Sequence, residues 1–216
     1  MRSITKGAPP VAFLDWLGLA NDEWIPTYGN LRGNPMIAVR NALLRESNFL
    51  CAYCGRTVLA DGSDSHIEHF YPQSKFEDWS VEWWNLFISC GRATSEVTPA
   101  TCGTLKSDWV PSPDFIIPSS KGCEGRFRYD GLGEIAPRTA VDVAASTMIK
   151  KLGLNDGALS LERQQIIAAL EYDVDAGELT PAMIPEEIER WRSADSGGRL
   201  KAFSQVAARY LEEEPV

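Results

Sequence analysis

The chain has 216 residues, 44% hydrophobic and 24% charged, the balance of a soluble globular protein with room for one large domain or two small ones. Thirty acidic residues against 21 basic ones set the net charge at −9, which weighs against a stand-alone nucleic-acid binder, because phosphates are met mainly by Lys and Arg. No apolar run approaches the roughly 18 residues of a membrane span, and Met1-Arg2-Ser3-Ile4-Thr5-Lys6-Gly7 lacks the apolar core of a signal peptide, so a cytoplasmic protein is expected.

Residues 1–9 are polar and extended, and the chain reaches Pro9-Pro10 before a short amphipathic helix from Val11 to Ala20. Trp24 to Arg32 reads as loop. Asn34-Pro35 then has the form of a helix start, an N-cap residue followed by proline in the first turn. Ile37, Val39, Leu43 and Leu44 make that helix amphipathic, and it delivers the chain to Cys51. Residues 51–109 differ in character: they hold four of the five cysteines, both histidines and four of the seven tryptophans. Their periodicity is weak, as expected where a metal replaces a hydrophobic core. Residues 110–137 read as loop and short strand, with a hairpin signalled by Arg126-Phe127-Arg128-Tyr129 followed by Asp130-Gly131. Helices then follow at Val141 to Leu152, Leu159 to Val174, Pro185 to Arg192, and Leu200 to Glu213, the last with Leu200, Phe203, Val206 and Tyr210 on one stripe. These limits predict three segments: 1–49 helical, 50–136 a metal-bound core, and 137–216 helical.

Five cysteines in a cytoplasmic chain point to metal or catalysis before disulfides. Cys51-Ala52-Tyr53-Cys54 is a C-x2-C knuckle, in which two thiolates grip one zinc ion from a turn that Gly55 permits. Cys90 and Cys102 can complete a tetrahedral four-thiolate site. Cys123 is left over, as a buried thiol or as a substitute for Cys102.

The two histidines lie together in His66-Ile67-Glu68-His69-Phe70-Tyr71-Pro72. Imidazole is the side chain suited to moving protons near neutrality. A rival reading takes Cys51, Cys54, His66 and His69 as a classical zinc finger. It fits less well, because two residues between the histidines are fewer than the usual three to five and because Cys90 and Cys102 are left without a role.

The order C-x2-C (Cys51, Cys54), Glu68-His69, Asn85-Leu86, Cys90, Cys102 and Lys106 resembles the HNH endonucleases with a zinc-bound ββα-metal core. The phrases Met1 to Lys6, His66 to Ser74, Trp84 to Cys90, Cys123 to Tyr129 and Thr147 to Asn155 are similar to the PtuB-type HNH proteins of Septu and some retron antiphage systems. The resemblance runs to about residue 170. It implies a metal-dependent nuclease, working with a PtuA-like ATPase, that cuts DNA or RNA. It implies that His69 takes a proton from the attacking water, that Glu68 binds a catalytic Mg2+ or Mn2+, and that Asn85 holds the loop carrying the base. The chain departs from the pattern after its last cysteine: the family's usual His or Asn is Gly103, which offers no side chain. His66 and Asp108 are the nearest substitutes. The eleven residues between Cys90 and Cys102 are also more than the common two.

Arg92 and Lys106 are candidate phosphate contacts. Trp79, Trp83, Trp84 and Trp109 could stack on unpaired bases, but such residues more often fill the core around a zinc module. The expected fold is mainly α with a small ββα zinc-bound core, α+β overall. The competing functional class is a zinc-bound interaction module without catalysis, favoured by Gly103 and the acidic charge. The C-terminal helices, which carry no catalytic signal, are the expected partner surface.

Overall fold

A computed structural model describes residues 1–91, 100–111 and 115–213. Among them the chain is mixed α+β, with seven helices and two antiparallel two-stranded sheets. In order these are α1 Val11–Leu17, α2 Gly33–Glu46, β1 Ser65–His69, β2 Leu86–Cys90, α3 Cys102–Lys106, β3 Phe127–Tyr129, β4 Ile135–Pro137, α4 Val143–Lys151, α5 Gly157–Asp175, α6 Ile184–Arg192 and α7 Ser204–Glu213. No described helix is long and apolar enough to cross a membrane.

α1 stops at Leu17, three residues before the predicted end, because Gly18 caps it by donating to the Leu14 carbonyl. In α2, Val39, Leu43 and Leu44 are buried as their spacing predicts, but Ile37 faces solvent. Asn48 and Phe49 then take positive φ of 49° and 59°. These two left-handed residues reverse the chain out of α2 and point it into the knuckle. A buried arginine braces the reversal: Arg2 donates to the Ser47 carbonyl and to Asn48 Oδ1.

β1 and β2 pair with Ser65 opposite Cys90, Glu68 opposite Phe87 and His69 opposite Leu86. α2 and α3 both pack against β2, and all five residues of that strand are buried. A strand covered on both faces needs a continuous apolar run, and Leu86-Phe87-Ile88 supplies it. The second hairpin closes where Asp130 and Gly131 signal it, and Asp142 both caps α4 and takes a two-pronged bond from Arg126 beside β3.

α7 begins at Ser204, four residues later than its apolar stripe suggests. Phe203 has φ +55° and gives its N–H to the Gly55 carbonyl, so tertiary docking interrupts the helix there. One hydrophobic cluster draws on all three predicted segments, with Phe13 and Leu43 from the first, Tyr53, Phe87 and Phe127 from the second, and Met148, Leu159 and Ile167 from the third.

Candidate metal and catalytic site

The reversal after α2 places Cys51 and Cys54 on a tight turn. Gly55 N–H bonds the Cys51 carbonyl, and the Arg56 N–H points at Cys54 Sγ from 3.4 Å. Gly55 has φ +83°, and an added Cβ would lie 2.2 Å from Gln205 Nε2, so only glycine fits. Cys90 arrives at the end of β2, and Cys102 opens α3. All four are free and buried, and their sulfurs lie within 4.8 Å of one another. Cys54 Sγ and Cys90 Sγ are 3.7 Å apart. A disulfide would bring them to about 2.05 Å, whereas the edge of a tetrahedral zinc–thiolate site with Zn–S near 2.3 Å is about 3.8 Å. The cluster could therefore hold a metal ion such as zinc.

Electrostatics agree. Burial opposes ionisation of Cys51, but S–H donation from Cys102, Cys54 and Cys90 carries its pKa well below the thiol range. The same bonds to Cys51, Cys54 and Cys90, together with burial, push Cys102 far up. Four thiols in one buried place cannot all ionise without a cation between them. Cys102 itself holds φ +55°, a conformation costing about 1–2 kcal/mol for a non-glycine residue, which persists only where its surroundings insist on it. Cys123 is not in the cluster. Its thiol faces the Arg2 carbonyl at 3.7 Å, and burial drives its pKa up to about 12, so it is an un-ionised buried thiol. The structure thus brings Cys102, not Cys123, to the knuckle, and it sends both histidines elsewhere, against the zinc-finger alternative.

β1 carries the histidines into a cleft of about 300 Å3 lined by His66, Glu68, His69, Gly103, Lys106 and Asp108 among others. His69 Nε2 lies 2.9 Å from the Ser80 carbonyl. A carbonyl only accepts, so Nε2 carries the proton and Nδ1 is the basic atom. The Tyr28 ring stands edge-on to the imidazole at 4.5 Å. Burial lowers the His69 pKa below the ordinary value, and this outweighs the Ser80 bond and the Glu68 charge. Near neutrality the ring is uncharged.

Asn85 is fully buried and ties down the His69 loop with three hydrogen bonds. Its Nδ2 donates to the Tyr71 and Trp79 carbonyls at 3.1 and 3.0 Å, and its Oδ1 accepts from the Tyr71 N–H at 2.7 Å. Trp79 precedes Ser80, so this clamp fixes the carbonyl that orients His69. Asn85→Ala strips three buried partners. At about 1 kcal/mol each it should lower stability by roughly 2–4 kcal/mol, read as a drop in Tm. An unchanged melting point would show that other contacts hold the loop.

Glu68 divides its two oxygens. Oε1 takes the Tyr53 hydroxyl at 3.2 Å and Lys106 Nζ at 2.9 Å, while Oε2 faces His66 Nε2 at 3.2 Å. Burial alone would raise its pKa, but His66 and Lys106 outweigh burial and hold the carboxyl below its usual range. Lys106, read from sequence as a phosphate contact, is itself buried against Glu68. Asp108 lines the same cleft, where its carboxylate accepts from Ser74 Oγ at 2.7 Å. Glu68, His66 and Asp108 do not close into a three-donor cluster like that of the cysteines among the described residues. Arg92 lies outside the described residues.

Trp83 is buried and gives its indole N–H to the Gly7 carbonyl, while Trp79 and Trp84 are 37% and 38% exposed and meet edge to face. Sequence reasoning missed Tyr53, Tyr28 and Ser80. Tyr53 is the informative omission: it sits between the two knuckle cysteines and touches Glu68, so it links the thiol cluster to the cleft. Nothing in its spacing signals that contact.

No family model matches the chain. Over 145 residues, 64% of its length, it is 31% identical to a protein of Vibrio cholerae serotype O1 biovar El Tor named "Retron Vc95 putative HNH endonuclease", of which the match covers 67%. Over 131 residues it is 27% identical to the Septu protein PtuB of Bacillus thuringiensis. That match covers 60% of this chain and 48% of the relative, so the chain spans about half the length of that protein.

Proposed function

Because the chain belongs to the HNH, PtuB-like family, we propose that it is a divalent-metal-dependent endonuclease of antiphage defence that hydrolyses phosphodiester bonds of nucleic acid. β1, β2 and α3 then serve as a ββα-metal unit, stapled by one zinc ion on Cys51, Cys54, Cys90 and Cys102. The observation that carries the reading is His69: its Nε2 is committed to Ser80, its ring is neutral, and it lines a cleft beside an ionised carboxylate.

His69 Nδ1 takes a proton from water as the water oxygen bonds to phosphorus and the P–O bond to the leaving oxygen breaks. The imidazolium so formed keeps its second N–H on the Ser80 carbonyl and passes the proton to solvent afterwards. Glu68 is the carboxylate donor for a Mg2+ or Mn2+ ion, with a second donor drawn from His66 and Asp108. A bound divalent ion supplies the Lewis acidity that stabilises charge on the phosphoryl and leaving oxygens. Glu68, ionised by its neighbours, fits that donor role.

The net charge of −9 supports a division of labour. An acidic chain attracts nucleic acid poorly, so a PtuA-like ATPase partner supplies the basic surface and the control. The missing side chain at Gly103 favours the alternative reading of a zinc-bound interaction module that does not cut. Cleavage assays separate the two. The chain and its partner, given plasmid or RNA with Mg2+ or Mn2+, are expected to cut. Only neutral imidazole can take the proton, so the rate rises with pH through the His69 pKa. Since that pKa is lowered, the plateau is reached before neutrality. A rising limb centred above about pH 7 would mean that another group is the base.

A further inference from the structure

We propose that His66 supplies the metal ligand that α3 lacks at position 103, so that β1 alone carries both protein donors of the catalytic ion. This rests on the proposed role of Glu68. The argument starts from the space around Gly103. A Cβ built there would lie 2.4 Å from Glu68 Oε2 and 2.7 Å from His66 Nε2. Position 103 is therefore not merely bare. The volume its side chain would fill is already taken by a nitrogen and an oxygen of ligand type.

The two donors reach that point by simple geometry. His66 and Glu68 are two residues apart on one strand, so their side chains leave the same face. His66 Nδ1 lies 2.6 Å from the Gly91 carbonyl and Nε2 3.2 Å from the Glu68 carboxylate, two groups that only accept, so without an ion both ring nitrogens donate, and an ion bound at Nε2 displaces that proton while Nδ1–H stays on Gly91. Anchoring one ring nitrogen on a carbonyl is how metal-bound histidines are commonly oriented. Nε2 and Oε2 are 3.2 Å apart. Two neighbouring ligands of an octahedral ion at about 2.1 Å are separated by about 3.0 Å. Glu68 Oε2 is also the oxygen left over after Tyr53 and Lys106 have taken Oε1. Asp108 fits less well, because its carboxylate is turned to Ser74 at the rim of the cleft.

An imidazole in place of the oxygen donor of an asparagine changes the ion the site prefers. Carboxylate and water suit Mg2+, whereas imidazole suits later divalent metals. The site should therefore hold Mn2+ more tightly than Mg2+.

The test is metal binding by the full-length, zinc-loaded chain, followed by Mn2+ electron paramagnetic resonance or calorimetry, with cleavage as a second readout. His66→Ala is expected to weaken Mn2+ binding by about 10–100-fold, in the range seen when groups around a metal site are lost. Gly103→Asn alone should also weaken it, because the new side chain collides with the donors in place. The double variant, His66→Ala with Gly103→Asn, should recover Mn2+ binding relative to His66→Ala and narrow the preference over Mg2+. His66→Gln keeps a polar group in the cleft and guards against a folding artefact, which circular dichroism would reveal. Unchanged Mn2+ affinity in folded His66→Ala, or a double variant no better than His66→Ala, overturns the inference. Glu68→Gln tells the two failures apart. If it keeps Mn2+ affinity, the Glu68 reading falls; if it loses affinity while His66→Ala does not, only the His66 inference falls.

Discussion

His69→Ala is expected to reduce nucleic-acid cleavage by about 10²–10⁴-fold, the usual contribution of a positioned general base. The variant should keep its zinc and its hairpin register, because the His69 side chain contributes to neither and its backbone pairing with Leu86 survives the substitution. It does lose the Nε2–H bond to Ser80 and the edge contact with Tyr28. The Ser80 carbonyl is then left without that donor, a cost of about 1–3 kcal/mol, so some fall in Tm accompanies the loss of rate. His69→Gln separates these effects. Its side-chain amide can still donate toward Ser80 but cannot accept a proton near neutrality, so stability should recover while the rate stays low. Cleavage that continues at the parental rate in His69→Ala would remove the nuclease assignment, whatever the zinc content.

Cys51→Ser or Cys90→Ser should release the structural metal and unfold the segment around it. Apparent binding energies for four-ligand structural zinc are about 10–16 kcal/mol, as large as the whole stability of an ordinary domain at about 5–15 kcal/mol. Leu86, Phe87 and Ile88 still pack β2 into the core, so the unfolding should centre on the Cys51–Cys54 turn and the ends that carry Cys90 and Cys102. Cys123→Ser is the control: the residue is equally buried but lies outside the cluster. It should retain about one zinc per chain, with a destabilisation of roughly 1–3 kcal/mol for burying a hydroxyl. Metal analysis beside a thermal melt decides the matter. A Cys51→Ser chain that is metal-free yet well folded would disprove the staple.

Much of this arrangement was legible in the sequence. Local signals placed the second hairpin at Asp130-Gly131 and the cysteine cluster at the right four thiols, because knuckle spacing and turn chemistry depend on neighbours in the chain. The helices were found, but their ends moved where distant partners intervened. The start of α7 shifted by four residues because Phe203 bonds Gly55, a contact no periodicity encodes. Ile37 kept its place in the apolar stripe and still faces solvent, since periodicity cannot say how wide the buried face is. Lys106 read as a phosphate contact, and it is buried. Its neighbour Glu68 sits 38 positions earlier, and only the fold brings that carboxylate within 2.9 Å. Gly103 showed up as a missing ligand, but not as an occupied space, because that requires seeing the side chains of His66 and Glu68 reach position 103.

The docking of α7 on the cysteine turn should make metal loading visible far along the chain. Gln205 Nε2 donates to the Cys54 carbonyl across 151 residues, and Phe203 takes the carbonyl of Gly55 beside it. An ion seated among the four thiols would hold the turn that presents both acceptors. Loss of that ion is then expected to weaken these two anchors of α7, while the buried Val206 and Leu211 still hold the helix in the core. The thiol cluster and the C-terminal helix thus share one turn, Cys51 to Gly55.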